Sequence, residues 1–147
     1  MMQPREQWCD AFAAGAWAAV LSGIPSTLYA LITGTDVMEA TRAAGAMLIA
    51  STSSEGALFA AAPLVHASVS AFWTAVLVPL LPSQHTTWWA VAALACVALL
   101  DLLFIGRAFP EISALLFWPQ FADHLAFGAV LGGVLEYRRR RRNSANA

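Results

Sequence analysis

The chain contains no lysine and few charged residues of any kind. Charged side chains make up 12% of its 147 residues, whereas a soluble domain carries about 25%. Residues 56–100, 45 in succession, include no Asp, Glu, Lys or Arg. A transmembrane helix needs about 20 mostly apolar residues, so this run has room for two crossings and a tight turn. The composition therefore excludes an ordinary water-soluble domain and predicts an integral membrane protein.

Cysteine is also scarce. Cys9 and Cys96 lie far apart in the chain and form no CxxC pair. A thiol oxidoreductase of the membrane needs two thiols that can exchange electrons with each other, so we expect two free thiols instead. Nothing in the cysteine pattern indicates an enzyme.

The hydrophobic pattern predicts an all-α integral membrane protein with a single domain over residues 1–147. Four crossings form a four-transmembrane-helix bundle, and they fall at about 11–33, 56–81, 87–105 and 120–137. The apolar run within 36–50 is too short to span comfortably. We expect an additional interfacial or re-entrant helix there, after the first crossing, and a short fifth crossing is the alternative.

Five of the eight basic residues form one run, Arg138–Arg142. Basic residues near the ends of crossings remain in the cytoplasm, so we expect a basic cytoplasmic tail over 138–147. An even number of crossings places the N-terminus in the cytoplasm as well. The chain then resembles a multi-pass protein of a bacterial-type inner (plasma) membrane, with the lipid bilayer as its first partner and no nucleic acid.

A few ionisable groups fall inside the predicted crossings, and such groups normally face the interior of a bundle and find a partner. With both termini inside, all of them lie in the outer half of the membrane. Ser70 follows the histidine of the second crossing by one helical turn, and Arg107 lies at the outer surface. The predicted pathway or buried polar network consists of His66, Ser70, Asp101, Asp123, His124 and Arg107.

Several interpretations of this network remain open. It can be purely structural and set the register of the helices. It can be a proton or cation path, because histidines and carboxylates form relays in membrane proteins. His66 and His124 can also hold a haem between facing helices, or these groups a non-haem metal ion. We predict no cofactor apart from that haem alternative.

A fourth chemical interpretation is hydrolysis by an aspartyl pair, Asp101 and Asp123, because two carboxylates that share a proton can activate water. Around "WPQFADHLAFG" the last crossing resembles the end of lipoprotein signal peptidases, which carry an Asn-x-Ala-Asp sequence there. Gln120 or Phe121 stands at the Asn position. No Asn-containing segment surrounds Asp101, so the resemblance implies no site residues for this chain.

Gly128 and Gly132 share one face of the last crossing with His124, and this GxxxG spacing allows a partner helix to approach closely. Four helices alone barely enclose a path for a solute. We therefore expect a small transporter or a proton- or ion-conducting protein that works as a homo-oligomer. The alternatives are a non-catalytic accessory or assembly subunit of a larger membrane complex and a bis-histidine haem-binding membrane protein.

Overall fold

The computed structural model describes residues 4–145, which are 80% helical and include no strand. A short 3₁₀ turn, Ile105–Ala108, follows the fifth helix. The seven α-helices are α1 Pro4–Leu21, α2 Ile24–Thr33, α3 Glu39–Ala46, α4 Glu55–Leu77, α5 Thr86–Leu103, α6 Pro110–Ser113 and α7 Phe117–Ala145.

Three segments are long and apolar enough to cross a membrane: Trp8–Thr33, Glu55–Leu77 and Thr86–Ala108. They coincide with the first three predicted crossings, which confirms an all-helical protein and is consistent with a membrane location. α7 covers the fourth predicted crossing, but it also contains the arginine run and is not one of these three segments.

The segment after the first crossing is too short to be a fifth crossing. α3 has eight residues, which rise by about 12 Å, against a hydrocarbon core of about 30 Å. α3 packs against α4, and a Cβ atom on Gly45 would collide with the backbone of Leu58. Glycine at this position is therefore what allows the two helices to approach so closely.

The first crossing is broken near its middle, between the end of α1 at Leu21 and the start of α2 at Ile24. Pro25 has no N–H to donate, and Gly23 before it lowers the cost of leaving helical geometry. The hydroxyl of Ser26 donates to the carbonyl of Gly23 at 3.2 Å. The break therefore leaves backbone groups of both half-helices in need of partners.

α1 and α7 form the central pair of the bundle, with α4 against α1 and α5 against α7. Although a short turn joins α4 to α5, these two helices do not form a close pair of their own. All four still contribute to one apolar core, which consists of Ala11, Ala14, Ala18, Leu77, Val78, Leu94, Val97, Phe127, Leu131 and Leu135.

The arginine run is part of α7. α7 continues to Ala145, and the last two residues of the predicted tail lie outside the described residues. Asp10, only 4% exposed, forms an ion pair with Arg138 at 3.0 Å and another with Arg142. Arg139 donates to the hydroxyl of Thr86 at 2.8 Å. The run therefore joins the end of α7 to the starts of α1 and α5.

Candidate functional site

His66 on α4 binds the first half of the broken crossing. Its Nε2 atom lies 2.8 Å from the carbonyl oxygen of Ala19 in the last turn of α1. A carbonyl oxygen can only accept, so Nε2 must carry the hydrogen and Nδ1 is the unprotonated nitrogen of the neutral ring. The histidine thus supplies a donor at the end of α1, where the helix itself runs out of donors.

Asp123 on α7 binds the second half. Its Oδ1 atom accepts a hydrogen bond of 2.9 Å from the backbone amide of Ser26. This amide lies in the first turn of α2, where no earlier helical carbonyl is available to it and where the helix dipole favours a negative charge. Two ionisable side chains from different helices therefore hold the two sides of the break.

His124 points in another direction and bonds two acceptors. Its Nδ1 atom lies 2.9 Å from the carbonyl oxygen of Gln120, and its Nε2 atom lies 3.3 Å from Oδ2 of Asp101 on α5. The bond to the carbonyl places a hydrogen on Nδ1. A hydrogen bond between Nε2 and a carboxyl group then needs one more proton, on the imidazole or on Asp101. The geometry of the pair His124–Asp101 therefore allows the two side chains to share one proton.

A cavity of about 140 Å³ lies beside these groups, between α4, α7 and the break in the first crossing. One water molecule needs about 10–15 Å³ of such volume, so the cavity has room for several. Its polar lining comes from the break, from α4 and from α7, and it consists of Ser22, His66, Ser70, Asp123 and His124.

Four of the six residues of the predicted network thus line one cavity, and Asp101 joins them through its bond to His124. Arg107 does not belong to this cluster, because it is exposed in the 3₁₀ turn and is not part of the cavity wall. Gly128 and Gly132 lie on the side of α7 that faces α5. Cβ atoms there would come within 2.8 Å of the carbonyl oxygen of Ala90 and 2.5 Å of the Cα atom of Thr87.

Both histidines of the haem hypothesis have polar partners within the protein. Nε2 of His66 is bonded to a carbonyl group and Nε2 of His124 to a carboxyl group. The cavity they share has 140 Å³, whereas pockets for drug-sized ligands and cofactors measure about 300–1,000 Å³. Within residues 4–145, no group of three or more His, Cys, Asp or Glu side chains could hold a metal ion.

The aspartyl pair is not assembled either. Asp101 bonds His124 on α7, whereas Asp123 bonds the backbone of α2. The two carboxyl groups therefore have separate partners and do not share a proton with each other. This arrangement does not match the geometry that hydrolysis by two carboxylates requires.

An ionic cluster occupies the opposite end of the molecule from the arginine run. Arg42 pairs with Asp36 and, at 3.2 Å, with Glu55, instead of pairing with Glu39 as the spacing within the helix suggests. The hydrogen bond from Arg42, helped by the amide of Met38, lowers the pKa of Asp36. This cluster ties the loop before α3 to the start of α4.

Sequence reasoning missed the backbone partners of the site and the role of Asp10. The carbonyl of Ala19 and the amide of Ser26 carry no signal in the sequence, because every residue has a backbone. Asp10 had a usable signal: it lies at the start of the first predicted crossing, on the same side of the bundle as Arg138 at the end of the last.

No family model, no curated protein and no solved structure matches this chain.

Proposed function

We propose that α7 is a fourth crossing and that the protein is a small transporter that conducts protons, or a cation coupled to them, as an oligomer. The observation that supports this proposal is the bonding of His124, because contacts of its two ring nitrogens with the Gln120 carbonyl and the Asp101 carboxyl group are compatible with an exchangeable proton between the ring and Asp101. A proton site of this kind next to a cavity with room for water is what a relay requires.

The path begins at the pair His124–Asp101 and continues through cavity water to the other ionisable groups. Nδ1 of His66 is not used by the bond to Ala19, and the Asp123 carboxylate has a second oxygen besides the one that Ser26 uses. Both groups can therefore accept a proton without first giving up their bonds to the broken helix.

Proton movement in this scheme is linked to the conformation of the first crossing. Protonation neutralises Asp123 and weakens its hydrogen bond to the Ser26 amide, because bonds to charged acceptors are about twice as strong as bonds to neutral ones. The contact between α7 and α2 is then weaker, while His66 remains bonded to α1. Discontinuous helices also form the substrate and ion sites of many membrane transporters.

Oligomer formation follows from the position of the cavity. It lies between α4 and α7, with one lining residue from α5, and His66 is exposed on the molecular surface there. A second copy placed against this opening encloses the cavity and keeps lipid away from the polar groups. A single copy leaves it open on that side.

The test is proton flux in liposomes with an entrapped pH-sensitive dye, under an imposed potential. Asp101→Asn is the sharpest variant, because the Asn amide can donate to Nε2 of a neutral His124 and keep the bond without the extra proton. We expect flux to fall by at least about tenfold. Asp123→Asn and His66→Gln likewise preserve hydrogen bonds while removing titration, and we expect the same loss.

His85→Asn is the matched control, since this third histidine lies outside the cavity lining, in the turn before α5. Its φ of 54° is one that Asn adopts readily. Flux at the wild-type level in Asp101→Asn and His66→Gln would exclude the relay. The polar network is then structural, and the accessory-subunit alternative is favoured, because every group at the break already serves to hold it.

The fourth crossing is tested separately with reporter fusions at each end of the chain. We expect both termini in the cytoplasm, because the start of α1 and the end of α7 meet at the ion pair between Asp10 and Arg138. Reporter signals on opposite sides of the membrane contradict four crossings, whatever the flux measurement gives, and periplasmic signals at both ends contradict the proposed orientation.

A further inference from the structure

A groove of about 720 Å³ runs between α1 and α7 at the arginine end of the bundle. Its walls change character along its length. Toward the middle of the helices the lining is apolar, with Trp17 and Leu21 on α1 and Val130 on α7. Toward the end of α7 it is polar and basic, with Tyr137 and Arg141.

The groove has the length of one lipid leaflet with its headgroup. Cys9 and Leu21 both line it, and the rise of α1 between them is about 18 Å. Half of the hydrocarbon core measures about 15 Å. An acyl chain lying along the apolar wall therefore brings its headgroup to the level of the arginines.

The basic end of the groove has an excess of positive charge that can bind a phosphate group. Three arginines of the lining, Arg138, Arg141 and Arg142, stand against one lining carboxylate, Asp10. Asp10 orients the first of these, at 3.0 Å, while Arg141 lies 5.8 Å above the ring of Tyr137 and remains exposed. A guanidinium held by an aromatic ring at a membrane interface is well placed to bind a phosphate oxygen.

We propose that this groove is a specific binding site for one anionic phospholipid, with its phosphate on Arg141 and Arg138 and an acyl chain beside Trp17 and Val130. A soluble phosphate compound has no acyl chain to cover the apolar wall, whereas a phospholipid has one. The indole of Trp17 is 57% accessible, so it offers the largest apolar surface of that wall for an acyl chain to cover. The site is independent of the proposed proton path, since the two cavities share no lining residue.

The proposal is tested by native mass spectrometry of the full chain released from nanodiscs of equimolar phosphatidylglycerol and phosphatidylcholine. We expect one phosphatidylglycerol retained per protomer in preference to phosphatidylcholine. Arg141→Gln should lower that retention about fivefold, the factor that corresponds to about 1 kcal/mol for one basic residue at an anionic surface. Trp17→Ala should lower retention of both lipids by removing the acyl contact.

Arg140→Gln is the matched control. Arg140 belongs to the same run but lies outside the groove lining, beside Glu136 at 3.5 Å. Equal losses in Arg140→Gln and Arg141→Gln overturn the proposal, because they indicate only general attraction between the run and an anionic surface. Equal retention of the two lipids, or displacement of the lipid by millimolar inorganic phosphate, overturns it as well.

Discussion

The Asp123 carboxylate accepts a hydrogen bond of 2.9 Å from the backbone amide of Ser26. The bond joins α7 to the first turn of α2, 97 residues earlier in the chain. On the other side of the break, His66 bonds the carbonyl of Ala19 at 2.8 Å. A discontinuity in the first crossing is thus held by two side chains from two other helices.

Removing the acceptor at Asp123 should destabilise the protein, whereas removing only its charge should have a smaller effect. Asp123→Leu leaves the Ser26 amide without its partner, at a cost of about 1–3 kcal/mol. Asp123→Asn keeps an oxygen in the same place. Thermal unfolding in detergent should rank the wild type first, Asn next and Leu last. Equal stability of Asp123→Leu and the wild type would show that the bond contributes nothing to the fold.

The contact between α5 and α7 should not tolerate a methyl group at Gly132. A Cβ atom there would lie 2.5 Å from the Cα atom of Thr87, and overpacking against backbone costs about 1–3 kcal/mol. Gly133 is the internal control, because a Cβ atom there meets nothing within 4 Å. Gly133→Ala should be neutral or stabilising by up to about 1 kcal/mol. Similar melting temperatures for the two variants would contradict the close approach of α5 to α7 at Gly132.

Acid should weaken the ionic cluster at the start of α3. The pKa of Asp36 is lowered by its bond to Arg42, so the folded protein takes up this proton less readily than the unfolded chain. The stabilisation is therefore present above the ordinary Asp value of about 3.9 and is lost as the pH falls through the lowered folded value. Asp36→Asn and Arg42→Gln should each remove the same step from a plot of melting temperature against pH. A step that survives in either variant belongs to other groups.

An absorption spectrum of the detergent-purified protein, oxidised and then reduced with dithionite, tests the haem hypothesis. We expect no Soret band, because both Nε2 atoms already have partners and the shared cavity of 140 Å³ is small. A Soret band that shifts on reduction and disappears in His66→Ala and His124→Ala would instead establish a haem site. The helices α4 and α7 would then have to move apart around it.

Much of the helical layout could be predicted from the sequence, since it depends on short-range patterns. The charge-free run 56–100 contains nearly all of α4, the turn and most of α5. The predicted ends of the second and third crossings differ from the observed ones by a few residues, because helices end at local caps such as Ser54, whose hydroxyl accepts from the amide of Ala57. Charge and helical spacing alone could not show that Arg42 bonds Asp36 and Glu55.

The sequence by itself determined that the chain is helical, that three of its segments suit a membrane, and which ionisable residues lie in its apolar stretches, because hydrophobicity and helical period are properties of the residues themselves. Only the tertiary structure decided which partners those residues have. Asp123 and His124 are adjacent, yet one bonds α2 and the other α5, since successive residues point about 100° apart on a helix. Their partners are a backbone amide and a distant carboxyl group, and only the packing of the helices brings these within reach.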